Sequence, residues 1–123
     1  MKLEDYYYKV YSYSTDWATT GLYCMMIVPD CDVYAGHFPG QPVCPGVFNL
    51  QMIKECVSHI AGKRLKITSI KRCRLLAVAT PSECPDMYLK FKYTRQGGDY
   101  LVRAELYTPE KVYMELQCTM RSL

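Results

Sequence analysis

The sequence predicts an α+β fold in which an antiparallel sheet of five or six strands wraps one long central helix. Three observations carry that expectation. One stretch with helical periodicity lies between Pro45 and Gly62. The residues after it alternate apolar and polar with period two, in segments separated by turn residues. The chain has 123 residues, 50% of them hydrophobic and 22% charged, which suits a single globular domain spanning 1–123 and excludes collagen, coiled coil and disorder.

The elements follow in chain order. Residues 6–13, YYYKVYSY, are aromatic and β-prone and read as a first strand. Residues 21–28, GLYCMMIV, form a continuous apolar run ended by Pro29, the pattern of a strand buried on both faces. From Pro29 to Gly46, prolines and glycines recur too densely for any regular element, so a long loop is expected. Pro45 suits the first turn of a helix and Gly62 its end. Between them Leu50, Ile53, Val57 and Ile60 share one face, and Phe48, Met52 and Cys56 fill a second stripe, so most of the helix is expected to be buried. Four strands should follow, over 66–77, 87–94, 100–107 and 112–120. Gln96-Gly97-Gly98-Asp99 and Thr108-Pro109-Glu110-Lys111 supply the turns between the last three. In the final strand Val112, Met114, Leu116, Cys118 and Met120 should face inward, and Tyr113, Glu115, Gln117 and Thr119 outward.

Composition narrows the function class. No run approaches the roughly 20 apolar residues of a membrane-spanning helix, and Glu4 and Asp5 stand where a secretory signal would be apolar; the cytoplasm is the expected compartment. The seven cysteines are odd in number and form no C-x-x-C pair, which speaks for reduced, mostly buried thiols rather than a disulfide framework or a metal site. The net charge of +3 is uneven. No acid lies between Glu55 and Glu83, a stretch that holds Lys63, Arg64, Lys66, Lys71, Arg72 and Arg74. A local basic stretch on a nearly balanced body suits a small acidic partner better than nucleic acid. At this size one core leaves little room for a deep private pocket, so a long apolar ligand would be walled in by a second subunit.

One segment is far more specific than the rest. Residues 36–55 read GHFPGQPVCPGVFNLQMIKE. From His37 to Val47 this resembles the H-F-P-G-x-P-x-x-P-G-V hallmark of the (3R)-hydroxyacyl-acyl carrier protein dehydratases, which have the hot-dog fold. The segment ITSIKRCRLLAVATP after the helix is similar to that family's following strand, and the resemblance extends more weakly from about residue 20 to about residue 119. It implies a homo-oligomer, at least a dimer, that acts on an acyl thioester carried by an acyl carrier protein, with no metal or organic cofactor. It puts the catalytic base on His37 and the thioester oxygen at the backbone N–H of Gly46, where the helix dipole stabilises developing negative charge. Phe38, Pro39, Gly40 and Val47 would line the substrate. Lys63, Arg64, Lys71, Arg72 and Arg74 would receive the acidic carrier, although strict alternation along a strand puts Lys71 on the opposite face from Arg72 and Arg74.

The chain departs from the hallmark at the acid. The family's carboxylate falls at position 51 and its glutamine four residues later; here these are Gln51 and Glu55. The two residue types are exchanged on one helix face. Gln51 can orient a hydroxyl but does not readily give it a proton. Three readings stay open: Glu55 serves as the acid, the chain binds acyl groups without turnover as the impaired member of a mixed dimer, or the chemistry is that of a hot-dog acyl thioesterase. The second histidine, His59, belongs to no motif and reads as structural.

Overall fold

A computed structural model describes residues 2–36, 44–81 and 86–123. Strands β1 (Tyr8–Thr15) and β2 (Thr20–Ile27) come first, then a short 3-10 turn at Asp32–Ala35. Helix α1 (Gly46–Ala61) follows, and after it β3 (Leu65–Leu75), β4 (Asp86–Gln96), β5 (Asp99–Tyr107) and β6 (Val112–Ser122). The six strands form one antiparallel sheet in the order β1-β2-β4-β5-β6-β3. Among the described residues the sheet and its single α-helix match the expected architecture, with strand bounds differing by at most two residues.

The buried side chains of every strand point to the helix. Tyr23, Met25 and Ile27 of β2, Leu89, Phe91 and Tyr93 of β4, and Leu116, Cys118 and Met120 of β6 meet Met52, Ile53, Cys56, Val57 and Ile60 of α1 in one apolar core. Gly21 admits β2 to this core at close range, because a Cβ there would run into the Phe91 ring. The helix ends on Gly62, whose φ of 71° is left-handed; the following Lys63 amide bonds back to the Ser58 carbonyl at 3.2 Å. No helix among the described residues is long and apolar enough to cross a membrane.

Three expectations about faces are corrected. β2 is buried on one face only: Leu22 is 41% exposed and Cys24 and Met26 are half-buried, because among the described residues the one α-helix packs on a single side of the sheet. Tyr113 is buried rather than outward, since the chain after β3 returns over the end of β6 and the Leu76 amide bonds the Tyr113 carbonyl at 2.9 Å. Lys71 does not oppose Arg72 and Arg74. The pairing jumps from Ile70↔Cys118 to Arg72↔Gln117, so Lys71 is the extra residue of a β-bulge. It lines the same outward hollow as Arg103 and Gln117, whose neighbouring hollow Arg72 and Arg74 line.

Candidate functional site

The helix N-terminus is laid bare by its own sequence. Pro45 is the N-cap residue and, having no N–H, leaves Gly46 to begin the helix; the Pro45 carbonyl accepts from the Phe48 and Asn49 amides, each at 3.1 Å. The first turn carries no acidic side chain, so the positive end of the helix dipole is not neutralised from within. Among the described residues a Cβ on Gly46 would meet only Leu75 Cδ1, at 3.8 Å. Around this opening the surface is apolar and unsheltered: Val47, Leu75 and Val78 are each more than 60% exposed.

The approach to Gly46 is anchored on both sides. The Cys44 amide bonds the Ala79 carbonyl at 2.8 Å, and its thiol lies 3.4 Å from the Tyr34 hydroxyl. Tyr7 donates to Asn49 Oδ1 at 2.8 Å inside the core, and its ring meets Phe48 edge-on at 5.1 Å. Burial, and then the neighbouring Cys44 thiol, push the Tyr7 hydroxyl far above its usual range, so it stays a donor. Asn49 is the lone polar residue in the buried stripe of the helix, the signal by which its role was legible and overlooked.

His37, Phe38, Pro39 and Gly40 lie outside the described residues. Gln51 and Glu55 are half-buried and linked: Gln51 Nε2 donates to Glu55 Oε2 at 2.9 Å. The same carboxylate accepts the backbone N–H of Leu3 at 2.7 Å, that of Glu4 at 3.1 Å and the Tyr8 hydroxyl at 2.9 Å. Glu55 thus holds down the segment before β1, whose Leu3 is fully buried. In that segment Asp5 adopts a φ of 69° to turn the chain back toward β1. Nine residues separate Glu55 from Gly46, about 13 Å along a helix axis. Beside the pair opens a groove of about 450 Å³, lined also by Lys54, Ser58, Arg64 and Leu65.

His59 has the structural partner expected of it: its Nδ1 lies 2.6 Å from the Tyr23 hydroxyl, and the rings of Tyr13 and Trp17 meet it edge-on. The five bases expected to receive a carrier separate into two groups. Lys63 and Arg64 follow the C-terminal end of α1, about 24 Å along the axis from Gly46. Lys71, Arg72 and Arg74 lie on the outward face of β3, and Arg74 immediately precedes Leu75 at the helix N-terminus.

Residues 15–110 match the family model described as ApeI-like, ApeI dehydratase. The chain belongs to the ApeI-like dehydratase family. A curated relative, the 3-hydroxyacyl-[acyl-carrier-protein] dehydratase FabZ of Syntrophobacter fumaroxidans, is 26% identical over 93 residues, which cover 68% of this chain and 62% of that protein. The chain therefore spans less than two-thirds of that relative's length. Among solved structures, the dehydratase heterocomplex ApeI:P from Xenorhabdus doucetiae superposes with a TM-score of 0.75 at 16% identity, covering 92% of this chain and 96% of that one. An HP0420 homologue from Helicobacter felis gives 0.70 at 13% identity, over 100% and 93%. A hypothetical thioesterase with coenzyme A from Streptococcus pneumoniae TIGR4 gives 0.64 at 10% identity, over 94% and 85%. These likenesses are of fold: this member of the ApeI-like family has the hot-dog architecture, which dehydratases and thioesterases share.

Proposed function

We propose that this ApeI-like protein eliminates water from a (3R)-hydroxyacyl thioester on an acyl carrier protein, giving the trans-2-enoyl thioester in fatty acid or related polyene biosynthesis. The observation that carries this reading is the acid-free helix N-terminus at Gly46, flanked by exposed Val47 and directly after the HFPGQPVCP segment of the sequence. His37 takes the C2 proton. The electrons of that bond form the C2–C3 double bond as the C3–O bond breaks, and the thioester oxygen, which carries the transient enolate charge, lies against the Gly46 N–H. The leaving hydroxyl needs one proton to depart as water. Glu55 is assigned as its source and Gln51 as the group that orients the hydroxyl. To reach a substrate Glu55 must let go of Tyr8 or Gln51.

The reading includes a second copy of the chain. Among the described residues β3 is an edge strand paired only with β6, and Ile70 and Leu75 on it are 47% and 66% exposed. A partner strand added there would cover both and wall in an acyl chain. The carrier would meet the Arg72–Arg74 end of β3, next to the helix N-terminus. The cytoplasm remains the proposed compartment.

A second reading is favoured by one observation, the engagement of Glu55 by four donors: the chain binds acyl carriers without turnover, as one member of a mixed dimer. One experiment separates the readings. Purified protein is given 3-hydroxyacyl-carrier substrates of several lengths, and enoyl product and free acid are both measured. Dehydration lost in His37→Ala and in a folded Glu55→Gln supports the assignment. Full activity in Glu55→Gln removes Glu55 from the chemistry. No turnover by the wild type, with carrier still bound, establishes the second reading, and release of free acid establishes a thioesterase.

A further inference from the structure

Strand register arranges the charges on the face turned away from the helix into rows. One row crosses the sheet as Leu22, Lys90, Glu105, Glu115 and Arg74. It is balanced, with Lys90 paired to Glu105 at 3.4 Å and Arg74 to Glu115 at 3.6 Å. Further along the strands on the same face runs Thr94, Leu101, Thr119 and Ser69, without charge. Between them lies Thr20, Lys92, Arg103, Gln117 and Arg72. This middle row holds three cations and no acid. The bulge adds a fourth, because Lys71 lines the same hollow of about 600 Å³ as Lys92, Arg103 and Gln117.

The cluster is not explained by the fold. Lys92 and Arg103 are directly opposite on adjacent strands, an arrangement of like charges that destabilises a sheet. Among the described residues, none of Lys71, Arg72, Lys92 and Arg103 has a carboxylate within 4.0 Å, and all four are exposed. Arg103 is also held in place. With the Gln117 amide assigned so that its oxygen rather than its nitrogen faces the guanidinium, Arg103 Nε and one Nη donate to that oxygen at 2.9 and 2.8 Å, which orients the guanidinium plane and leaves its other N–H groups for an incoming acceptor. A locally unfavourable arrangement kept rigid and open marks a binding surface.

We propose that this row is the docking surface for an acidic protein. Three strand spacings separate Lys92 from Arg72, about 14 Å, a span that an acidic helix fills with carboxylates one turn apart, each turn rising about 5.4 Å. Nucleic acid fits less well, because Tyr93, the one aromatic residue in the hollow, is buried against Tyr100 at 5.3 Å and offers no face for a base. The identity of the acidic partner as the acyl carrier rests on the dehydratase reading above; the charge row stands without it. Lys92 and Arg103 lie outside the basic stretch between Glu55 and Glu83, and only the strand pairing joins them to it.

The test measures binding of a purified acyl carrier protein and of poly-L-glutamate, at low and at physiological ionic strength. Lys92→Glu with Arg103→Glu, and separately Lys71→Glu with Arg72→Glu, should each weaken both ligands about tenfold or more and flatten the salt dependence. Lys63→Glu with Arg64→Glu should change affinity less than about twofold. Circular dichroism confirms that each variant is folded. Equal losses in the Lys63/Arg64 variant, unchanged affinity in the other two, or tighter binding of single-stranded DNA or phosphatidylglycerol vesicles than of either acidic ligand would each overturn the proposal. Dehydration of a carrier-free thioester is read in parallel. Its absence with binding intact removes the proposed reaction and leaves the docking surface, whereas dehydration with binding untouched by the variants does the reverse.

Discussion

Replacing Glu55 by alanine separates the two roles open to this carboxylate. The change leaves four donors without their acceptor: the Leu3 and Glu4 amides, the Tyr8 hydroxyl and the Gln51 amide. The Glu4 amide and the Gln51 side chain, on half-buried residues, can turn to water; the Leu3 amide, on a fully buried residue, has little access to it. The Tyr8 hydroxyl, on a residue 2% exposed, cannot do so easily, and an orphaned buried hydroxyl costs about 1–3 kcal/mol. Adding a smaller loss for each backbone amide gives about 2–4 kcal/mol in all. For a domain of this size that is a fall in Tm of roughly 8–16 °C. Thermal melts followed by circular dichroism give the magnitude, and hydrogen exchange over residues 3–8 gives the place. Leu3→Ala should destabilise by a similar amount, since it empties a fully buried site. The double variant should lose less than the sum, because one change already frees the segment the other holds. A Glu55→Ala protein that melts within about 1 °C of wild type yet has lost all turnover would refute this reasoning, and would assign the carboxylate to chemistry rather than to anchoring.

Two further outcomes follow from the geometry. Gly46→Ala should fold normally and melt at the wild-type temperature or slightly above it, because among the described residues a Cβ there meets only Leu75, at 3.8 Å, and alanine has the higher helix propensity; its kcat on a hydroxyacyl thioester should nevertheless fall about tenfold or more if the thioester oxygen approaches this amide. The turn between β1 and β2 should be sensitive to acid. Asp16 accepts the backbone N–H groups of Thr19, Thr20 and Ala18 at 2.8–3.0 Å, and these bonds hold its carboxyl well below the usual carboxylate range. A lowered pKa stabilises the fold above the unfolded value near 4 and that contribution disappears as pH falls below it. Trp17, the only tryptophan, sits in this turn with a φ of 57°, so its fluorescence should shift on acidification, and Asp16→Asn should remove that step.

Much of the architecture was legible because periodicity reports which face of an element meets a core. The helix between Pro45 and Gly62 and the alternating strands β4, β5 and β6 appear where the pattern puts them. What the pattern missed depends on partners distant in the chain. Strict alternation sends Lys71 to the wrong face, because a bulge is a property of the pairing with β6 and leaves no mark on the local sequence. The exchanged pair Gln51 and Glu55 is visible in the sequence as a chemical substitution, but its bonds to Leu3, Glu4 and Tyr8 reach across about fifty residues. Likewise the HFPG motif identifies the family without saying that Lys92 faces Arg103.

The strand order also dictates the sequence in which this molecule can assemble. β4, β5 and β6 are joined by short turns and pair with their chain neighbours, so their contacts are local and form quickly. β2, by contrast, pairs with β4, from which α1 and β3 separate it in the chain. During synthesis the β1–β2 hairpin, with Tyr23, Met25 and Ile27 pointing toward a core not yet present, waits until residues 86–96 have been made. The β1–β2 hairpin is made first and docks late. Until then the edge of β2 that will meet β4 stays unpaired, on an aromatic, β-prone ribbon of the kind that invites misassembly in a growing chain.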